Sequence, residues 1–350
     1  MKAWVSQAIN KISAEYQRSA DTHMIKLNIP KLTKHGIDIY LKDESTHPTG
    51  SLKHRLARSL FMYALCNGKI CSNTTIIEAS SGSTAVSEAY FAHLIGLPFI
   101  AVMPRQTAKS KIKLIELYGG KCHFVDSPTQ MTPESIKLAK KLDGYFMDQF
   151  TFAERATDWR GSNNIAESIY SQMEHEKYPI PKYIVMSAGT GGTSATIGRY
   201  IHFQGYSSEL IVVDPENSIF YDAYIKKDMH LSCNKASRIE GIGRPKVEAS
   251  FQPDVIDKMI KIADTDSIAT ILWLEKLIGR KAGASTGTNI WGALQQAKEM
   301  IDKKEQGSIV TLLCDSGERY LDTYYNPNWV KENIGDISNN LTALDTWMTA

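Results

Sequence analysis

The stretch TTIIEASSGSTAVSEAYFAHLIGLPFIAVM, residues 74–103, decides the fold. Thr74 to Ala79 is a short apolar run that ends in a turn and reads as a strand. Ser80 to Thr84 is a turn of hydroxyls around one glycine. Thr84 to Ile95 carries helical spacing, and Phe99 to Met103 is a second strand. Strand, helix and strand at this spacing predict a right-handed βαβ unit and a parallel sheet.

The alternation continues outward. A basic amphipathic stretch from Thr107 to Tyr118 leads through Gly119-Gly120 into a strand at Cys122 to Val125. Upstream, Ile37 to Lys42 reads as a strand. Downstream, Tyr183 to Ser187, Leu210 to Asp214 and Ser308 to Leu313 read as strands, and Ser194 to Phe203 as a helix. Two βαβ regions split around residue 150 predict an α/β protein with two parallel or mostly parallel sheet domains, flanking helices and a cleft between them. The smaller domain is expected at 46–150 and the larger at 1–45 with 151–350. Ligands of open α/β sheets sit beyond the carboxyl ends of the strands. That rule nominates the turns at 80–84, 189–193 and 314–317.

Composition excludes several classes. Of the 350 residues, 43% are hydrophobic and 22% charged, which rules out a disordered chain. A net charge of +2 gives no electrostatic case for nucleic acid or an anionic membrane. No apolar run is long enough to span a bilayer, and Met1 to Gln17 lacks a secretory apolar core, so a cytoplasmic enzyme is expected. The five scattered cysteines, Cys66, Cys71, Cys122, Cys233 and Cys314, form neither a disulfide framework nor a zinc motif. They read as buried reduced thiols, and no metal is expected. His47, His54 and His93 read as packed or surface residues and not as catalytic groups.

Three turns can carry chemistry. Gly189-Thr190-Gly191-Gly192-Thr193 follows a strand and opens a helix, so its backbone N–H groups suit a phosphate. Ser194 stands where a dinucleotide fingerprint needs its third glycine, and no Gly-Lys-Ser/Thr follows. Ser80-Ser81-Gly82-Ser83-Thr84 offers hydroxyls and helix-start amides to a small anion, with plain helix capping as the other reading. Lys42 to Arg55, KDESTHPTGSLKHR, runs from a charged strand end through a Pro/Gly turn into a helix. Lysine forms Schiff bases where its surroundings lower its pKa, and Lys53 falls in the first turn of that helix.

These segments, in this order, resemble the cysteine synthase and cystathionine β-synthase family, the fold type II (tryptophan synthase β-like) pyridoxal phosphate enzymes. The lysine motif is matched by Lys42, Glu44, Pro48, Ser51, Lys53 and Arg55. The resemblance implies pyridoxal 5'-phosphate as a Schiff base on Lys53, with its phosphate on Gly189, Thr190, Gly191, Gly192 and Thr193. It implies that Ser80, Ser81, Thr84 and Gln149 bind the substrate carboxylate. Glu240-Gly241-Ile242-Gly243 resembles the loop that caps the site, bringing Gly241 to the substrate. Ser316-Gly317-Glu318-Arg319-Tyr320 resembles the segment whose serine faces the pyridine nitrogen. Asp315 is the neighbouring alternative to Ser316.

The departures bear on the reaction. Ser83 stands where the family has an asparagine that bonds the cofactor ring. His54 follows the lysine in place of aspartate, and Thr151 to Arg160 replaces the family's Asn-Pro-x-Asn. Taken together they look closest to bacterial L-cysteine desulfhydrases of this fold. The expected reaction is β-elimination on L-cysteine to sulfide, pyruvate and ammonia. The alternatives are cysteine synthesis from O-acetylserine and a catalytically quiet homologue that binds a protein partner. The resemblance also implies a homodimer with a small amino-acid substrate.

Overall fold

The computed structural model describes residues 2–19, 21–161 and 164–349. Its strands are β1 (His23–Leu27), β2 (Ile37–Asp43), β3 (Ile76–Ala79), β4 (Phe99–Pro104), β5 (Lys121–Val125), β6 (Tyr145–Phe146), β7 (Tyr183–Ser187), β8 (Glu209–Pro215), β9 (Lys258–Ile262) and β10 (Gly307–Leu313). The chain divides into two units, Met1–Asp21 with His47–Thr157, and Thr22–Thr46 with Asp158–Ala350.

The first unit is built on a parallel sheet in the order β5-β4-β3-β6. Helix Ser83–Ile95 is buried along almost its whole length, because Ala85, Val86, Ala89, Phe91, Ala92 and Ile95 leave it no polar face. It ends at Gly96 in the left-handed region, which lets the chain turn back into β4. The first residues group with this unit rather than with the larger one. Helix Lys2–Arg18 inserts Ala8 and Ile12 into the core that holds Leu60, Phe61 and Phe91, and that burial assigns it here.

The second unit carries a six-stranded sheet in the order β1-β2-β10-β7-β8-β9. All its pairs are parallel except the antiparallel β1–β2 edge. β2 is buried at all seven positions even though its sequence is IDIYLKD. Lys42 is fully buried and donates to the Thr22 carbonyl at 2.8 Å and to Gln172 Oε1 at 2.7 Å. Glu44 accepts the Thr22 hydroxyl at 2.8 Å. The charged strand end thus locks the segment entering β1, since buried charges persist only when hydrogen-bonded.

The expected thiol burial is not what forms. Cys66 is exposed at the end of its helix, and the other four cysteines, Cys122 on the edge strand β5 among them, are half-buried.

In the second unit, helices Asp264–Ile278 and Ala284–Asp302 meet at Gly287. A Cβ there would lie 1.9 Å from the Ser267 carbonyl oxygen and 2.9 Å from Ile271 Cγ2. Beside it Ser267 and Thr288 share a 2.7 Å hydroxyl contact. Replacing a helix-interior glycine with alanine ordinarily gains about 1 kcal/mol. Gly287→Ala should instead lose about 1–3 kcal/mol by overpacking, read from the midpoint of urea unfolding. A raised midpoint would show that the two helices have room to spare.

Candidate active site

Each unit contributes its own set of residues. In the first, Gly50 adopts a φ of +71°, and the chain then enters helix Lys53–Cys66 with Lys53 as its first residue. Lys53 is half-buried, and no side chain caps the helix. Arg55 is fixed by Asp21 at 2.8 Å.

His54, beside the lysine, is 2% exposed and ties three segments together. Its Nδ1 lies 3.1 Å from the Thr49 hydroxyl, which contacts Ser87 Oγ at 2.9 Å, and its Nε2 lies 3.3 Å from Glu15. Tyr90 also donates to Glu15, at 3.2 Å. Burial pushes the His54 pKa down, and the pull of Glu15 does not restore it. Burial acts to raise Glu15, but the bonds from His54 and Tyr90 outweigh it and hold the carboxyl below its usual range. The packed-histidine expectation therefore describes His54.

Ser80 to Thr84 leaves β3 and opens helix Ser83–Ile95. Gly82 is the cap residue and offers no side chain to the first-turn amides. The serines therefore stand outside the cap position, at a helix start suited to a small anion. Ser81 and Ser83 are half-buried, while Ser80 and Thr84 are buried. Thr84 donates to Gln149 Oε1 at 2.8 Å, which brings two of the predicted carboxylate residues together. Gln149 thereby spends its oxygen on Thr84, and its NH2 group is the end suited to an anion. Its backbone N–H donates to Glu78 Oε2 at 3.1 Å, and the Ala79 N–H donates to Glu78 Oε1 at 2.7 Å.

In the second unit, β7 delivers Gly189 to Thr193 into helix Gly192–Gln204. Gly191 has a φ of +92° and no side chain caps the helix. A Cβ at Gly191 would lie 2.6 Å from Phe251 Cα and from the Ser250 carbonyl oxygen. Thr190 turns its hydroxyl to the Gly192 N–H at 3.3 Å. A glycine held by neighbouring backbone, at a helix start whose cap residue has no side chain, fits a phosphate group.

Gly241 and Gly243 lie in a loop with φ of +84° and +72°. The Gly243 N–H donates to the Ala188 carbonyl at 2.9 Å, so this loop is anchored to the residue before the glycine turn. The Tyr324 hydroxyl donates to the Arg238 carbonyl and accepts from the Glu240 N–H, both at 2.9 Å. Beyond β10, Asp315 accepts the Tyr320 hydroxyl at 2.7 Å in a buried contact. Ser316 is half-buried and accepts from the Glu318 N–H at 3.4 Å.

The sequence reading passed over Glu78, Glu88, Glu15 and Tyr324. Glu78 and Glu88 had a signal, since each is a lone charge inside a strand or helix that is otherwise apolar. Glu15 and Tyr324 had none, because their partners lie far off in the chain. Among the described residues no helix is long and apolar enough to cross a membrane, and no group of three or more His, Cys, Asp or Glu could hold a metal.

Residues 18–315 match the family described as pyridoxal-phosphate dependent enzyme. The chain is 57% identical over 331 residues to L-cysteine desulfhydrase Cds1 of Mycobacterium tuberculosis, covering 94% of this chain and 90% of that protein. It is 32% identical over 298 residues to cysteine synthase B of Campylobacter jejuni, covering 83% and 93%. Its fold is shared with O-acetyl serine sulfhydrylase isoform 3 from Entamoeba histolytica, at a TM-score of 0.77 and 22% identity over 95% of this chain and 94% of that one. The chain belongs to the pyridoxal-phosphate-dependent enzyme family, in its fold type II branch with the cysteine synthases.

Proposed function

We propose that the protein is an L-cysteine desulfhydrase, converting L-cysteine and water to sulfide, pyruvate and ammonia. The observation that carries this reading is the 57% identity to L-cysteine desulfhydrase Cds1 across 94% of the chain. Lys53 at the start of its helix and the uncapped glycine turn are the residues such an enzyme needs.

Lys53 holds the cofactor through Nζ, and the amides of Gly189 to Thr193 hold its phosphate, assisted by the Thr190 and Thr193 hydroxyls. When bound, pyridoxal phosphate supplies an electron sink for charge developing at the substrate α-carbon. The Lys53 amine, neutral when not bonded to the cofactor, would take the α-proton of the substrate. Ser80, Ser81, Thr84 and the Gln149 NH2 group fix the substrate carboxylate, and Gly241 closes over it. By the resemblance Ser316 would serve the pyridine nitrogen, while one oxygen of the neighbouring Asp315 accepts the Tyr320 hydroxyl. A hydroxyl at that nitrogen does not demand a protonated ring as a carboxylate does. The weaker sink suits elimination over transamination. Ser83 meets the ring where a longer asparagine would hold it more firmly. The smaller unit, Met1–Asp21 with His47–Thr157, carries the substrate groups, and the larger, Thr22–Thr46 with Asp158–Ala350, carries the phosphate groups. We also propose, from the resemblance, a homodimer in the cytoplasm.

Cysteine synthesis from O-acetylserine is the second reading, supported by the cysteine synthase B relative. A catalytically quiet homologue is disfavoured by the intact Lys53 and glycine turn.

Lys53→Ala should abolish turnover and leave no cofactor fixable by borohydride. A fully active Lys53→Ala protein sinks the assignment of Lys53.

Gly191→Asp should lower cofactor affinity about ten- to a hundredfold, through backbone strain and charge against the phosphate. Cofactor titration by absorbance measures it, and unchanged occupancy would reduce the turn to a structural bend.

Sulfide release from L-cysteine and cysteine formation from O-acetylserine with sulfide should be measured on one preparation. Release should dominate, and Ser83→Asn should shift the ratio toward synthesis. Synthesis ahead by orders of magnitude in the unmodified protein would replace the desulfhydrase reading with the synthase.

A further inference from the structure

Two fully buried acids lie against the serine turn in the first unit. Glu78, near the end of β3, accepts the Ala79 and Gln149 amides with its two oxygens. One side chain thereby fixes both segments that carry the proposed carboxylate groups, Ser80 one residue beyond Ala79 and Gln149 at the start of its helix. Glu88 follows Thr84 by one helical turn, so the two share a helix face. Thr84 on that face donates to Gln149. Glu88 has no hydrogen-bond donor but the neighbouring carboxyl of Glu78, and the contact between the two acids holds Glu78 down and Glu88 up.

We propose that Glu78 and Glu88 form a proton-carrying pair that positions the substrate-carboxylate groups and keeps negative charge from building up beneath them. The proposal rests on the reading that Ser80 to Thr84 and Gln149 take the substrate carboxylate. A buried carboxylate without a donor is costly, whereas a protonated carboxyl is not. Two neighbouring buried carboxyls do not both ionise readily. Burial, opposed in part by the Gln149 and Ala79 amides, raises Glu78 to about 8. Burial and then the charge of Glu78 lift Glu88 well above the usual carboxylate range. The other charge facing Glu78 is Asp148, at the turn into the Gln149 helix, and it acts in the same direction. On the adjoining strand, β4, Ala101 is the register partner of Glu78. As pH rises through about 8 the pair loses a proton, and the new charge lies beneath a turn whose guest is itself an anion.

Glu88→Gln keeps the shape, and its amide NH2 group can donate to Glu78, which keeps that carboxylate ionised at both pH 7 and pH 9 and removes its titration from the comparison. The probe is L-alanine, an amino acid without a β-leaving group, titrated by the absorbance change of the holoenzyme. Between pH 7 and pH 9 the unmodified protein should lose on the order of tenfold more affinity than Glu88→Gln. Titration of the ligand amine cancels in that comparison.

A second readout needs no ligand. Carboxyls raised in the folded state give stability that is complete below about 4.5 and is lost as pH rises toward 8. The melting temperature of Glu88→Gln relative to the unmodified protein should therefore climb from pH 5 to pH 8. Glu88→Met, apolar and of similar volume, serves if Glu88→Gln does not fold.

Ser81→Ala separates the proposal from the reading beneath it. Weakened L-alanine binding in Ser81→Ala at pH 7, by roughly one to two powers of ten, supports the turn as the carboxylate site. Unchanged binding there refutes the turn and with it the role of the pair toward substrate. Weakened binding in Ser81→Ala, together with parallel pH profiles and a constant melting offset in Glu88→Gln, overturns the pair alone.

Discussion

The helices Ser83–Ile95 and Gly192–Gln204 each begin at a glycine cap, and the two anion-suited turns are arranged around those starts. Gly82 and Gly191 stand where serine, threonine, asparagine or aspartate would accept the first amides. A glycine in that place costs only about a few tenths of a kcal/mol, which the fold bears easily because both helices are buried along their length. Each helix follows a parallel strand directly, so its positive end lies at the carboxyl edge of a sheet. Neighbouring segments then hold those turns in place. In the second unit the backbone at Ser250 and Phe251 closes on Gly191, and the Gly243 N–H holds the segment in front of it. In the first unit Glu78 takes amides from the turn's flank and from Gln149, leaving the helix-start amides alone.

The second recurring device is the buried polar side chain with distant partners. Lys42 binds the segment before β1, and His54 joins Thr49, Glu15 and, through Thr49, Ser87. Each connects elements that apolar packing would leave free to slide. Hydrogen bonds are directional where apolar contact is not, so a few of them fix register within a core of interchangeable aliphatic residues. The neighbour of Lys53 is accordingly not a spare acid or base but a packed histidine that steadies the helix Lys53–Cys66.

The strands and turns were legible because they depend on local pattern. The runs 99–103, 183–187 and 308–313 appear within a residue of where β4, β7 and β10 form. The glycine turn was legible because only glycine adopts a φ of +92° against neighbouring backbone. The resemblance drew Lys53, Gln149 and Ser316 together in sequence, but their partners were hidden. Gln149 and Glu78 are 71 residues apart, and Tyr90 and Glu15 are 75 apart, separations that no periodicity reports. The grouping of helix Lys2–Arg18 with the first unit was equally hidden, since its apolar face does not announce which core it will enter. The short β1, antiparallel at the edge, was missed because its five residues do not alternate clearly in polarity.

The placement of β10 between β2 and β7 has a consequence for the growing chain. β10 is made after β2, with more than 260 residues between them. By the time residue 157 has left the ribosome, every strand of the first unit exists. The strand β2 can pair with β1 on one side, but its other edge waits for residues 307–313. An apolar strand with an open edge is a template for pairing with the wrong chain. Synthesis at roughly 5–20 residues per second leaves that edge open for roughly ten seconds or more. Lys42 and the acids at its ends, Asp38 and Asp43, put charge on the waiting strand during that interval. The same residues that lock the finished sheet thus guard it from aggregation before it is complete.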